Sequence, residues 1–460
     1  MAGIWEATWD ATRDMAEAVA APFQEPSLRL GVTGLSRAGK TVFITSLVAN
    51  LMDRGRMPQL RAAAEGRILA AWLQPQPDDA VARFAFEEHL AALTAPEPRW
   101  PEGTRRVAEL RLSLRLAPRG WTLGMGGPRV LHFDIVDYPG EWLLDLALMG
   151  QDFAGWSADA LERARGWPGS EAFLRAVAAV DGAAQAEEPT LKGLAEAYSE
   201  AMARAREAGF SYLAPGRFLL PGDLEGSPAL TFAPLPPAAD PGRRSLWREC
   251  ERRFESYKRL VVGPFFRDHF RRIDRQAVLV DALGAAARGE AQLRDLRDAM
   301  AALLRAFNPG GSAWLARWLG QRRVERVLLA ATKADHLHHS QHARLAALAE
   351  AILREARDRA AFAGARTEAM AIASLRTTVE DRMEHKGETL DVVKGRVGGR
   401  VVAVHAGGLP EDPLSLLAPG GGVALRAEAF EPAPLTLRPG EGPPHIRLDK
   451  AAEFLFGDRL

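Results

Sequence analysis

The chain has 460 residues, a length that suits two or three structural units with at least one large core. Its 59 Lys and Arg residues balance 59 Asp and Glu residues, so the formal charge is zero and the composition argues against a nucleic-acid-binding protein. The single cysteine, Cys250, excludes an intramolecular disulfide and a cysteine-based zinc site, which fits a reducing cytoplasm. Because the sequence contains no secretion signal and no apolar run long enough to span a bilayer, we expect a cytoplasmic protein, at most peripheral to a membrane.

The first predicted element is an amphipathic helix within residues 1–26. Apolar residues, among them Ile4, Trp5, Trp9 and Val19, recur close to helical spacing, and charged residues fill the other positions. The two tryptophans suit docking on a membrane or a partner, whereas the acidic polar face disfavours anionic lipid. We therefore favour packing against the body of the protein, with lipid or partner contact as the alternative.

A strand, a glycine-rich loop and a helix follow in the order that a phosphate-binding unit requires. "SLRLGVTG" predicts a buried strand and "KTVFITSLVANLMDRG" an apolar-faced helix. Between them, "GLSRAGKT" satisfies G-x-x-x-x-G-K-[ST], in which backbone N–H groups point at the β-phosphate. Lys40 would bridge the β- and γ-phosphates, and the Thr41 hydroxyl would ligate Mg²⁺. The alternative is a glycine-rich helix start with an exposed lysine. The predicted nucleotide contacts are Gly34, Ser36, Arg37, Ala38, Gly39, Lys40, Thr41 and Val42.

Two neighbouring strands come next, after a mixed and mostly helical stretch over residues 56–103. "RRVAELRLSLRLAP" alternates apolar and polar residues, and "RVLHFDIVDYPG" is a buried strand that runs into a loop, so the two strands should pair antiparallel. The second strand ends in Asp-x-x-Gly, where Asp137 would hold Mg²⁺ through water and the Gly140 N–H would move onto or off a γ-phosphate. Thr104, just before the first of these strands, is the candidate switch threonine that ligates Mg²⁺ and senses the γ-phosphate.

The remaining patterns divide the chain into an interrupted α/β core and added segments. Long amphipathic helical patterns fill residues 142–272, which is enough chain for a unit of its own. Strands and helices then alternate again before a stretch of short strands and loops. The predicted division is 1–26 (N-terminal helix), 27–141 (first part of the core), 142–272 (helical insertion), 273–380 (second part of the core), 381–440 (β-rich segment) and 441–460 (C-terminal docking helix).

The strand "VERVLLAATKAD" ends in a sequence similar to the guanine-reading motif [NT]KxD. In that motif the aspartate accepts hydrogen bonds from guanine N1–H and N2–H₂, which adenine does not present, and the lysine stem covers the base. A strand end with ordinary surface charges is the alternative. Because threonine replaces the commoner asparagine, the link from this corner to the phosphate loop would be looser. The residues predicted to bind the base here are Thr332, Lys333, Asp335 and His336, together with the backbone of Ser374 and Leu375 near guanine O6.

These motifs, in this order, resemble the Ras-like GTPase fold, an α/β P-loop core whose mostly parallel sheet has one antiparallel edge strand. More narrowly, "RLGVTGLSRAGKTVFITSLVANLM", "WPEGT", "VDYPGEWLLDLALM", "DRQAVLVDAL", "TKADH" and "PHIRLDKAAEFLFGDRL" resemble the YcjX family of bacterial P-loop proteins, nearly end to end. The resemblance implies GTP and GDP binding, GTP hydrolysis, a helical insertion in the second switch region and a link to the bacterial stress response. It also implies a membrane-protein partner, reached through the insertion or the N-terminal helix.

Two residues depart from ordinary GTPases and bear on catalysis, for which Lys40 and Thr104 are also candidates. Glu141 follows the switch glycine, where many GTPases have a water-orienting glutamine. Its carboxylate would accept a proton from the attacking water but would also repel the γ-phosphate, so a salt bridge or a helix N-terminal carboxylate is the alternative. Arg37 would act as a built-in arginine finger in place of a monovalent cation, or would merely pair with an acid such as Glu141.

The sequence leaves several functional interpretations open. "HLHHSQHAR" places His338 and His342 at i, i+4, where a metal site is conceivable although exposed or capping histidines are commoner. Trp142, Leu143 and Leu144 would swing with the switch and couple hydrolysis to the inserted helices. The first interpretation is therefore an Mg²⁺-dependent GTPase, and the second is a slow or non-hydrolysing nucleotide-gated interaction module for a membrane partner. The "TKAD" motif disfavours an ATP-dependent kinase or ATPase.

Overall fold

The protein is described here by a computed structural model that covers residues 25–35, 37–103, 106–118, 127–265, 272–305, 324–362, 364–418 and 420–460. The predicted N-terminal helix, apart from residues 25 and 26, lies outside this part of the chain, as do Ser36 and Thr104. The predictions made for those residues stay predictions.

A mostly parallel sheet forms the centre of the fold. Within the described residues it comprises β1 (Ser27–Gly34), β2 (Ile68–Gln74), β3 (Ala82–Arg83), β4 (Ala108–Leu116), β5 (Arg129–Asp137), β6 (Arg275–Val280), β7 (Arg326–Ala331) and β8 (Arg366–Ala371). The order along the sheet is β2-β4-β5-β1-β6-β7-β8, and β3 pairs with β4. β5, β1, β6, β7 and β8 pair in parallel, whereas β4 pairs antiparallel with β5. The predicted α/β class and the antiparallel strand are confirmed.

β2 is an element that the sequence did not indicate, because residues 56–103 were predicted to be mostly helical. It pairs antiparallel with the outer side of β4 and extends the sheet there. Most of its residues are only half-buried, and all but the last are apolar, so β2 lacks the alternation of apolar and polar residues that identifies a strand.

Helices cover both faces of the sheet or pack together in the segment between β5 and β6. They are α1 (Lys40–Met52), α2 (Arg61–Ala64), α3 (Phe86–Thr94), α4 (Gly140–Leu148), α5 (Phe153–Arg165), α6 (Glu171–Ala178), α7 (Glu188–Glu207), α8 (Leu246–Tyr257, continued by a π-helical turn over Lys258–Val262), α9 (Ala282–Arg288), α10 (Glu290–Arg305), α11 (His342–Ile352), α12 (Arg354–Phe362) and α13 (Leu448–Phe456). Along β6, Ala277 and Leu279 join the core that contains α1 and α13, and Val278 and Val280 join the core that contains α9, α10 and α11. This alternation is the two-residue period of a strand buried on both faces.

The helices between β5 and β6 share an aromatic core that continues into the sheet. Trp156 of α5 and Phe254 of α8 stack with ring centroids 4.9 Å apart, and Phe232 lies edge-on to both. The same apolar cluster includes α4 and one face of β6, so the helices pack onto the sheet without an intervening polar layer. None of the helices in the described part of the chain combines the length and the apolar composition needed to cross a bilayer.

The C-terminal part adds a second sheet and a helix. The second sheet is antiparallel, in the order β11-β10-β9, and its strands are β9 (Val379–His385), β10 (Glu388–Val397) and β11 (Arg400–Val404). The buried Arg275 at the start of β6 donates a 2.9 Å hydrogen bond to the Leu455 carbonyl, which fixes α13 against the central sheet.

Candidate functional site

The glycine-rich loop between β1 and α1 has the backbone shape of a phosphate loop. A Cβ on Gly34 would stand 2.6 Å from the Leu279 carbonyl oxygen, so only glycine fits there. Gly39 has a left-handed φ of 82°, and the space where a Cβ would lie is open. Arg37 also has a left-handed φ, of 65°, which is unusual for a residue with a side chain. The Lys40 Nζ donates a 2.8 Å hydrogen bond to the Gly34 carbonyl, so the loop itself holds this ammonium.

Two oxygen-bearing side chains predicted to serve Mg²⁺ lie at the start of α1 and at the end of β5. Thr41 is buried in the first turn of α1, and Asp137 is the buried last residue of β5. Asp137 pairs with Val32 of β1, close to where the loop begins. A hydroxyl and a carboxylate are hard oxygen ligands of the kind that Mg²⁺ takes, so this pair fits the ion. The other predicted loop contacts, Ala38 and Val42, are buried and half-buried respectively.

The segment after Asp-x-x-Gly lies directly against the phosphate loop. α4 begins at Gly140, and a Cβ on Gly140 would overlap the Gly34 carbonyl oxygen. Glu141, in the first turn of α4, is buried, and a Cβ on Gly216 would overlap the Glu141 carbonyl oxygen. The phosphate loop, the start of α4 and the segment between α7 and α8 therefore meet backbone to backbone, at two glycines that allow the close approach.

A cavity of about 40 Å³ lies beside this contact. Arg37, Arg206 at the end of α7 and Arg288 at the end of α9 line it, together with two acids, Glu141 and Asp281. Across the described residues, no hydrogen bond or ion pair engages any of the three guanidinium groups or the Glu141 carboxylate. The lining thus carries more positive than negative charge, which suits an anion. Sequence reasoning missed Arg206 and Arg288, because no motif connects either residue to the phosphate loop.

The predicted guanine-reading carboxylate is held in a fixed orientation. Asp335 is buried after β7, and its Oδ2 accepts hydrogen bonds from the Thr377 N–H (2.9 Å) and the Thr377 Oγ1–H (2.8 Å). The Thr378 hydroxyl donates to the Asp335 carbonyl. The other carboxylate oxygen of Asp335 accepts no hydrogen bond from the described residues. Sequence reasoning missed Thr377, although the pair of threonines after "AIASLR" was a signal.

The lysine of the same motif lies against the end of β6. Lys333 has a left-handed φ of 60°, and its Nζ forms a 2.5 Å ion pair with Asp281. Burial opposes the charge on Asp281, but the Lys333 ammonium and the Gly284 N–H together hold the pKa of this carboxyl below its ordinary value. Thr332 is tied to the same strand by its N–H, which donates a 3.0 Å hydrogen bond to the Val280 carbonyl. Asp281 thus connects the cavity to the predicted base-binding residues after β7 and β8 (Thr332, Lys333, Asp335, His336, Ser374 and Leu375), called the base corner below.

The other predicted base contacts lie around the same corner. His336 is buried, and its ring meets Phe430 edge-on with centroids 4.9 Å apart; burial lowers the pKa of this imidazole. Ser374 and Leu375 are buried in the loop after β8. The Trp100 Nε1–H donates a 2.9 Å hydrogen bond to the Phe430 carbonyl, which brings the loop before β4 to the base corner.

A buried carboxyl joins α4 to the segment that carries α5 to α8 between β5 and β6, whose helices are called the inserted helices below. The Asp145 Oδ1 accepts a 2.6 Å hydrogen bond from the Gly216 N–H, and its Oδ2 accepts a 2.5 Å hydrogen bond from the Tyr257 hydroxyl. Burial raises the pKa of Asp145 to about 7 against the opposing effect of these donors. Trp142 lies one turn before Asp145 on α4, and the Arg217 guanidinium lies 3.2 Å from the centroid of its ring.

The histidine-rich stretch does not assemble as its spacing suggested. His342 begins α11, and its Nε2 lies 2.8 Å from the Ala334 carbonyl while its Nδ1 lies 3.2 Å from the Arg447 guanidinium, so both ring nitrogens are engaged by other groups. Instead, His338 and His339 approach Glu380 of β9.

The strand order, the phosphate loop between β1 and α1 and the TKxD corner after β7 define a Ras-like P-loop protein. The chain belongs to the YcjX-like family, DUF463, whose model matches residues 28–460. It is 37% identical over 453 residues to the Ras-like GTPase YcjX of Escherichia coli (strain K12), covering 94% of this chain and 96% of that protein. It is 34% identical over 471 residues to the Ras-like GTPase YcjX of Shewanella oneidensis (strain MR-1), covering 94% of each. The resemblance drawn from the sequence is confirmed.

Proposed function

We propose that this protein is an Mg²⁺-dependent GTPase that converts GTP to GDP and phosphate. The observation that carries the proposal is the buried Asp335 carboxylate, which Thr377 orients at the sheet edge where the phosphate loop also lies. A fixed carboxylate suits guanine N1–H and N2–H₂ and disfavours adenine, which would leave it unpaired. Two relatives are named Ras-like GTPases, which supports the same function.

In this proposal the phosphate loop binds the triphosphate. Its backbone N–H groups donate to phosphate oxygens. The Lys40 ammonium, which donates to the Gly34 carbonyl, would then bind the β- and γ-phosphates instead. Thr41, Thr104 and Asp137 would hold Mg²⁺, directly or through water. When bound, the ion would neutralise part of the negative charge on the phosphate oxygens.

Hydrolysis then depends on placing positive charge where negative charge develops. Arg37, with Arg206 and Arg288 on the facing walls of the same cavity, would stabilise the departing γ-phosphoryl group. The Glu141 carboxylate lines this cavity and would orient the attacking water or accept its proton.

The nucleotide state would reach the inserted helices through α4. Gly140 contacts the phosphate loop, Glu141 contacts Gly216, and Asp145 binds Gly216 and Tyr257, so a shift of α4 must move the inserted region or break these contacts. The family resemblance adds a role in the bacterial stress response, in the cytoplasm or peripheral at the inner membrane. A membrane-protein partner would bind the insertion or the N-terminal helix.

The test compares GTP with ATP, in binding and in turnover with Mg²⁺, for wild type, Asp335→Ala and Arg37→Ala. We expect wild type to prefer GTP, Asp335→Ala to lose the preference while keeping affinity for the phosphates, and Arg37→Ala to slow turnover measured without potassium. A matched control is Asp381→Ala, an acid of β9 that lies outside the site. Equal binding of ATP by wild type would show that the guanine assignment is wrong.

A second candidate function rests on Glu141. A buried carboxylate in place of the usual glutamine repels the γ-phosphate, which favours a nucleotide-gated interaction module that hydrolyses slowly or not at all. GTP binding without single-turnover hydrolysis, in wild type and in Glu141→Gln alike, would identify this alternative.

A further inference from the structure

A compact group of metal-ligating side chains lies between the base corner and the second sheet. The Nδ1 of His339 is 2.6 Å from Glu380 Oε2, and the Nε2 of His338 is 3.9 Å from the same oxygen. The two imidazole centroids are 4.2 Å apart, and one ligand atom from each of the three residues lies within 4.8 Å of the others. Two imidazoles therefore converge on one carboxylate oxygen.

We propose that His338, His339 and Glu380 bind a divalent transition-metal ion of the zinc class. Zinc lies about 2.0–2.2 Å from histidine nitrogen and carboxylate oxygen in a tetrahedral site, so ligand atoms stand roughly 3.4 Å apart. The separations of 2.6 and 3.9 Å lie on either side of that value, and the three side chains reach it by small rotations. The fourth position is left to solvent, on the side of the exposed His339.

The surrounding residues hold the ligands as metal sites commonly do. His338 Nε2 faces Glu380, and its Nδ1 lies 3.2 Å from Asp391 Oδ2, 2.9 Å from the Ser340 hydroxyl and 3.4 Å from the Ser340 N–H. A metal at Nε2 requires the proton on Nδ1, where Asp391 would accept its hydrogen bond in place of the long Ser340 N–H contact. A carboxylate on the far nitrogen of a ligating histidine fixes its tautomer and its orientation. Arg376 lies 3.9 Å from the other oxygen of Glu380, Oε1, which leaves Oε2 to the histidines.

Ion pairing of protonated histidines with Glu380 is the competing explanation, and the arrangement favours a metal. Protonating both rings would set two cations with centroids 4.2 Å apart beside Arg376, with Glu380 Oε2 shared between them and Asp391 facing only His338. One metal ion instead binds both neutral rings and the carboxylate at once, so like charges are not brought together.

The position of the site gives the metal a structural consequence. His338 and His339 follow Asp335 in the loop before α11, whereas Glu380 belongs to β9 of the second sheet and follows Thr377 in sequence. A bound ion therefore links the two segments that carry the Asp335 and Thr377 pair. Zn²⁺ should raise the thermal midpoint of the protein and rigidify the base corner.

The experiment titrates Zn²⁺ into the full chain, prepared without a histidine tag and stripped by a chelator, and follows it by calorimetry. Co²⁺ is then titrated as a spectroscopic probe, because tetrahedral Co²⁺ has intense visible bands. The variants are His339→Ala and Glu380→Gln. The matched control is His385→Ala, an exposed histidine at the far end of the same strand β9. Circular dichroism of the stripped proteins shows that each variant is folded.

We expect one equivalent of Zn²⁺ and the tetrahedral Co²⁺ spectrum in wild type and in His385→Ala. Affinity should fall at least about tenfold in His339→Ala and Glu380→Gln, with loss of the Zn²⁺-dependent rise in thermal midpoint. Wild type that binds neither ion would overturn the proposal and leave the ion pairs as the explanation. So would folded His339→Ala that binds Zn²⁺ as tightly as wild type, because the ligands would then lie elsewhere.

Discussion

At the scale of single residues, Thr377 orients the Asp335 carboxylate that we propose reads guanine. Its N–H and its hydroxyl both donate to Oδ2, so the carboxylate plane is set before any ligand arrives. Thr377→Val keeps the shape and the N–H but removes the hydroxyl donor. A hydrogen bond to a charged group contributes about 1.5–3 kcal/mol, so we expect the preference for GDP over ADP to fall about tenfold to hundredfold. The ratio of the GDP and ADP dissociation constants, measured at equilibrium, gives this preference.

The control for this change is Thr389→Val, an exposed threonine on β10, which should leave both affinities unaltered. If Thr377→Val binds GDP and ADP with the wild-type ratio, the Thr377 hydroxyl does not orient the base-reading carboxylate.

Gly140 makes a second prediction at this scale. Because a Cβ there would overlap the Gly34 carbonyl oxygen, Gly140→Ala must separate α4 from the phosphate loop or strain both. Overpacking of this kind costs about 1–3 kcal/mol, and we expect that loss in the free energy of unfolding of the nucleotide-free protein, measured in urea. Gly193→Ala, on an exposed position of α7 with open space around it, should be neutral or stabilising by up to about 1 kcal/mol. Equal stability of Gly140→Ala and wild type would show that the contact is not maintained in solution.

At the scale of elements, the sequence predicted the strands and loops whose signal lies within one short stretch of chain. The alternation in β4, the apolar run of β5 and the loop between β1 and α1 each carry their signal within a few consecutive residues. β2 was not predicted from the sequence because its stability comes from pairing with β4 rather than from its own composition. The Thr377 contact with Asp335 and the three-arginine cavity join residues far apart in the chain, and periodicity holds no information about such pairs.

α4 supplies a prediction about pH. The pKa of Asp145 is about 7 in the folded protein, against an ordinary value of 3.8, because burial disfavours its charged form. Between these two values the folded protein binds the proton that the unfolded chain has released. The free energy of unfolding therefore falls as pH rises through this window, by at most about 1.4 kcal/mol per pH unit from this group. Asp145→Asn removes that contribution, so the variant should lose less stability than wild type between pH 4 and 7.

Urea unfolding at several pH values measures this difference. Asp159→Asn, on an exposed position of α5, is the matched control and should follow the wild-type dependence. Parallel curves for wild type and Asp145→Asn would mean that Asp145 does not hold its proton at near-neutral pH, and that the contact of α4 with Tyr257 does not depend on protonation.

At the scale of the whole molecule, the inserted helices and the central sheet cannot move independently without cost. One apolar cluster runs from the aromatic core around Trp156 through α4 to β6 and α10. Close-packed cores of this kind have discrete alternative arrangements rather than a continuous range, which is what a nucleotide-dependent switch requires. The cavity beside the phosphate loop lies where these bodies meet, and its walls come from the loop, α4, α9 and the end of α7.

Arg206 carries the prediction that belongs to this scale, because it brings a charge from the inserted helices to the phosphate loop. Arg206→Ala removes one of three guanidinium groups lining the cavity. With Arg37 and Arg288 still present, we expect single-turnover GTP hydrolysis to slow about tenfold to hundredfold, less than the loss of a sole arginine finger. GDP affinity should stay at the wild-type value, and binding of GDP with aluminium fluoride should weaken. Arg204→Ala is the matched control, since this neighbour on α7 donates to the Gly169 carbonyl instead. Equal hydrolysis rates for the two variants would exclude Arg206 from the chemistry; slower hydrolysis in Arg206→Ala alone would make the inserted helices part of the catalytic site.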